Sequence, residues 1–93
     1  MDTQKDVVMA LSQVTEELAN SKFVVGVKLL IKALKNGNAH MVFLACNADP
    51  AITEPIAALC QHNGVAYAWV KSMTDLGRAC GIEVGAAAAA AVD

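Results

Sequence analysis

Four lysines, Lys22, Lys28, Lys32 and Lys35, stand in a stretch from residue 18 to 48 that contains no aspartate or glutamate. The rest of the chain carries three basic residues against nine acidic ones. Net charge over the 93 residues is −2, which taken alone speaks mildly against a nucleic-acid partner, but the charge is unevenly distributed. On a helical wheel with Lys28 at zero, Lys32 falls at about 40° and Lys35 at about 340°, while Leu30, Leu34 and Ile31 lie between about 200° and 300°. The basic stripe therefore opposes an apolar one. A solvated helix face is the competing interpretation. Such faces commonly interleave acids for i,i+4 pairing, and none is present here. Gly26, just ahead of the stripe, allows a partner's backbone to come close, and free N–H groups at a helix start favour phosphate.

No other constellation suggests chemistry. The chain has no G-x-x-x-x-G-K loop, G-x-G-x-x-G fingerprint, G-x-S-x-G elbow or H-E-x-x-H pair. Asp49 and Glu54 could form a carboxylate pair, but first-turn acids ordinarily serve to oppose the helix dipole. His40 and His62 are isolated, and read as polar loop or helix-end residues. Cys46, Cys60 and Cys80 are odd in number and form no C-x-x-C, so neither a disulfide framework nor a zinc site is expected. We expect reduced cysteines, no metal, no cofactor, no small-molecule substrate and no enzymatic activity.

The elements that must position the lysines follow from pattern. Val7, Val8, Leu11, Val14 and Leu18 recur at helical spacing and predict a helix over residues 3–20. "KFVV" is a short β-type run, and Gly26 begins a helix that ends near "NGN" at 36–38. "MVFLAC", 41–46, is a continuous apolar segment suited to a strand covered on both faces. Asp49 with Pro50 marks a helix start and Asn63-Gly64 its end, with Pro55 making the start ambiguous. "VAYAWV", 65–70, is a further strand. Ser72 with Asp75 has the spacing of a capping box, and Gly81 suits a C-terminal cap. The alanine tail has helical propensity, yet it follows Gly85, and the alternation up to that point calls for a strand.

The order α-β-α-β-α-β-α-β implies an α/β fold: a three-layer α/β/α sandwich around a four-stranded mixed sheet, as one domain over 1–93. The longest uninterrupted apolar run, Ala86 to Val92, is far short of the roughly 20 residues of a membrane span. "MDTQKDVV" lacks the basic n-region of a secretory signal, so a cytoplasmic protein is expected.

Two segments, "VVGVKLLIKALKNGNAHMVFLACNADP" and "LCQHNGVAYAWVKSMTDLGRACGIEVGAAAAAAV", resemble the ribosomal protein superfamily of the 7Ae, 30e and 12e types, which includes kink-turn RNA binders. The resemblance spans about residues 7 to 92 and implies the same sandwich fold. In the kink-turn binders the helix after the glycine offers a polar pair that reads sheared G·A pairs, and a basic residue further along contacts phosphate. Carried over, Gly26 and Lys32 match, Lys28 stands where asparagine or lysine is usual, and Leu29 stands where the family has Glu or Gln. Leucine cannot hydrogen-bond a base edge, so readout there is lost while phosphate contact survives. The loop Ile82-Glu83-Val84-Gly85 matches the family's second RNA-contacting loop.

The resemblance thus implies an RNA-binding set of Lys22, Gly26, Lys28, Leu29, Lys32, Lys35, Ile82, Glu83 and Val84. "DVVMALSQV", "ALCQHNGV", the acidic balance and Leu29 favour the eukaryotic small-subunit protein of the 12e type. Its partners would be ribosomal RNA and neighbouring ribosomal proteins. "ACGIEVGAAAAAAV" favours the 7Ae-type kink-turn binders instead. A protein-interaction scaffold of the same superfamily, without RNA, is the third alternative.

Overall fold

The computed structural model describes residues 8–93. Its elements run β1 (Val8–Met9), α1 (Leu11–Ala19), β2 (Lys22–Val25), α2 (Val27–Lys35), β3 (Ala39–Ala45), α3 (Pro50–Asn63), β4 (Ala66–Val70), α4 (Met73–Ala79) and β5 (Ala88–Val92). The expected three layers are present, but the sheet has five strands, in the order β1-β4-β3-β5-β2, rather than four. The extra strand is β1, where Val8 and Met9 pair in parallel with Trp69 and Val70. The predicted helix over 3–20 therefore begins only at Leu11, and its portion 3–7 lies outside the described residues. Helical periodicity masked β1 because Val8 fits both patterns; the free edge of β4 decides between them.

Strand β3 is central, parallel to β4 and antiparallel to β5, which in turn pairs antiparallel with β2. Its residues alternate between two cores. Phe43 and Ala45 pack with Val14 and Leu18 of α1 and Leu76 of α4. Val42 and Leu44 pack with Leu30 and Leu34 of α2 and Ile56 and Cys60 of α3. The alanine tail is a strand, as the alternation of elements required. Ala88, Ala89 and Ala90 are fully buried, and Cβ methyls leave room for helices on both faces. Pro55 sits within α3, which runs unbroken from Pro50 to Asn63.

The strand directions have one consequence for function. Strands β1, β2, β3 and β4 all end at one edge of the sheet, and β5 begins there. Each of the four is followed directly by a helix, so four helix N-termini and the α4–β5 loop share that edge. In open α/β sheets this is where ligands bind.

Candidate functional site

Gly26 joins β2 to α2 at this edge, with φ 107° and ψ 149°. That backbone conformation is essentially restricted to glycine. Its N–H donates to the Ala88 carbonyl at 3.1 Å, and its carbonyl accepts from the Leu30 N–H at 3.1 Å. No side chain caps α2, and no acid stands in its first turn. The helix therefore opens with unneutralised N–H groups. Lys28, Leu29, Lys32 and Lys35 are exposed, while Leu30, Ala33 and Leu34 are buried, as the opposing stripes predict. Leu29, with 54% of its surface exposed, stands at the flank of the lysine face rather than in the core.

The loop after α4 reaches the same edge and is held from beneath. The Ile82 N–H donates to the Gly77 carbonyl and the Ala86 N–H to the Met73 carbonyl, each at 3.0 Å. The Met73 N–H in turn donates to Asn47 Oδ1 at 2.8 Å, so the β3–α3 turn anchors α4 and, through it, the loop. A Cβ on Gly77 would lie 2.2 Å from the Val84 carbonyl oxygen, and one on Gly85 would crowd Met73. Only glycine at 77 lets the loop lie this close to the helix. Sequence reading missed Asn47, Met73 and Gly77. The one available signal was a glycine inside the helical pattern "LGRACG", which can mark a close backbone approach.

The expected site residues do not all come together. Gly26, Lys28 and Leu29 share the edge with Glu83 and Val84, whose side chains are exposed, Val84 to 71%. Ile82 is half-buried and packs against the α1/α4 core, so it supports the loop from inside. Lys32 lies one turn along α2. Lys35 is about 14 Å of helix rise from Gly26, toward the opposite edge. Lys22 begins β2 opposite Val92, about 13 Å of strand from Gly26.

The remaining polar groups have structural roles. Asp49 caps α3, accepting from the Ala51 N–H at 2.9 Å, and Glu54 is an exposed second-turn residue. Ser72 Oγ accepts from the Asp75 N–H at 3.1 Å. Burial raises the Cys80 thiol pKa and pushes that of Cys60 up to about 11, which suppresses thiolate reactivity. Cys46 is only partly buried. Among the described residues, no group of three or more His, Cys, Asp or Glu could hold a metal, and no helix is long and apolar enough to cross a membrane.

A five-stranded mixed sheet between two helix layers, with an uncapped glycine-led helix beside a clamped loop, defines the class. The family model for the Ribosomal protein L7Ae/L30e/S12e/Gadd45 family matches residues 6–93, and the chain belongs to that family. A protein of Bacillus pumilus named "RNA-binding protein" is 48% identical over 67 residues, covering 72% of this chain and 82% of the relative. The large ribosomal subunit protein eL8 of Cenarchaeum symbiosum is 33% identical over 90 residues, covering 95% of this chain and 71% of the relative. Among solved structures, the Giardia lamblia 15.5kD RNA binding protein superposes with a TM-score of 0.77 at 28% identity. That match covers 89% of this chain and 70% of the other.

Proposed function

We propose that this protein is a non-enzymatic, cytoplasmic RNA-binding protein that grips a kink-turn-like RNA at the edge where α2 begins. The observation that carries this reading is the placement of Gly26 and Lys28, with Lys32 one turn along α2, at the same sheet edge as the loop bearing Glu83 and Val84. Positive charge, uncapped N–H groups and a closely approachable backbone meet there at one surface. Phosphates fit the lysines and the helix start, and the exposed loop offers an apolar contact for a base.

The relatives named as RNA-binding proteins, and the eL8 relative, support the 7Ae-type alternative over the small-subunit 12e assignment that Leu29 and the acidic balance favoured. Acidic charge elsewhere on the chain does not weaken a local lysine surface, because screening confines its field to about 10 Å in 0.1 M salt. Ribosomal RNA, with ribosomal proteins as neighbours, is the partner expected in the cell. The test is titration of a kink-turn RNA against a straight duplex of equal length, with sedimentation alongside ribosomal subunits. Preference for the kinked RNA supports the reading. Equal affinity for both overturns it, and failure to bind either favours the scaffold alternative.

A further inference from the structure

Lys22, Asn36 and Asn38 take no part in the edge described above, yet with Leu29 and Lys32 of that site they border a second feature. Helices α2 and α3 cover one face of the sheet but leave its β2 margin partly open. Val24 and Val92 belong to the core on that face and are only half-buried. Between them and the flank of α2 lies a cavity of about 210 Å³, walled by Val24, Leu29 and Val92, with Lys32, Asn36 and Asn38 at its rim. Leu29, Lys32 and Asn36 also line a hollow of about 460 Å³ over the lysine face, so the cavity is continuous with the α2 surface. The side chains of Asn36 and Asn38 make no hydrogen bond among the described residues. Side chains alternate along a strand, so Lys22, paired with Val92, projects to the same face as Val24 and stands on the β2 side of the groove without lining it. Asp93, at the far end, is paired with His40.

We propose that this groove holds unpaired nucleotides of the RNA whose structured part sits at the start of α2, an inference that rests on the RNA-binding reading. The chemistry matches a nucleotide on three counts. The apolar walls suit a base face, the two free amides can each give and take a hydrogen bond at a base edge, and the flanking ammonium groups suit phosphates. An occupant of this kind also accounts for the exposed Leu29, which is an apolar wall here although it cannot read a base edge at the helix start.

The test is a titration of the full chain with hexauridylate, followed by NMR, with an abasic hexamer of the same backbone as control. We expect saturable shifts of the Asn36 and Asn38 side-chain amides and of the Leu29 and Val92 methyls, weaker or absent with the abasic strand. With two phosphates held, at about 0.7 per phosphate on single strands, affinity falls about sevenfold between 50 and 200 mM salt. Lys22→Ala should reduce that to about 2.6-fold, and Asn36→Ala with Asn38→Ala should bring hexauridylate affinity down to that of the abasic strand. No shifts at millimolar hexauridylate, equal binding of the abasic strand, or equal shifts from hexaglutamate would each overturn the groove. Kink-turn affinity, measured on a blunt-ended RNA, tests the parent reading separately, so the two can fail independently.

Discussion

Helices α2 and α3 lie in one layer, share a core through Leu30, Leu34, Ile56 and Cys60, and both start at the same edge of the sheet. They open differently. Helix α3 begins with Asp49, whose carboxylate accepts the Ala51 N–H and sets a negative charge against the helix dipole. Helix α2 begins with Gly26, in a conformation that an aspartate or serine could adopt only with strain, and leaves its first N–H groups without a side-chain acceptor. A closed helix start stabilises the fold, and an open one can bind. The tight turn from β2 that brings the Gly26 N–H to Ala88 is what requires glycine and thereby forbids the cap.

The sharpest way to break this comparison is Gly26→Ala. Space is available for the methyl, so the cost is backbone strain of about 1–3 kcal/mol, read as a lower denaturant midpoint. Kink-turn affinity should fall as the helix start shifts. Full affinity in a strained variant would show that the open N-terminus is not the contact. Leu29→Gln acts in the other direction, restoring a group that can read a base edge and tightening kink-turn binding by about 1–3 kcal/mol. A titration in which it weakens binding would instead mark the leucine as a contact in its own right.

Lys28→Ala and Lys32→Ala should each flatten the plot of log affinity against log salt by about 0.9, across RNA sequences alike. Unchanged slopes would reduce the stripe to a solvated face. The fold should survive both changes, since these side chains are exposed opposite the core. Asp49→Ala is the counterpart at α3. It should cost about 1 kcal/mol of stability by thermal or urea unfolding and leave RNA affinity unchanged. The smallest expected effect is none, from a chelator added during unfolding, since no ligand cluster exists among the described residues.

Much of the fold could be read locally. Residues 23–25, 41–45 and 66–70 are apolar runs, and all lie in strands. Asp49-Pro50 and Ser72 start helices where their capping chemistry predicts. The misread segment was the first, because two residues of strand leave almost no pattern and β1 exists only through its pairing with Trp69 and Val70. The candidate site was half visible. Gly26, Lys28 and Lys32 stand out by charge and spacing within one helix. Asn47 acts through a partner on another element and has no local pattern, and Gly77 shows only as a glycine inside a helical pattern.

The sequence by itself determined which helix faces are apolar, where α2 and α4 start and stop, and that positive charge is segregated from acids on α2. These depend on propensity, periodicity and side-chain charge within a few residues. Only the tertiary structure decided that the start of α2 lies at the same edge as the loop bearing Glu83 and Val84. It also decided that Lys22 and Lys35 lie far along their elements from that edge, and that Ile82 packs inward. The physical reason is strand order. The sequence β1-β4-β3-β5-β2 is selected by how two helix layers cover a five-stranded sheet, and that order inserts β5 between β2 and β3, so that Gly26 meets Ala88.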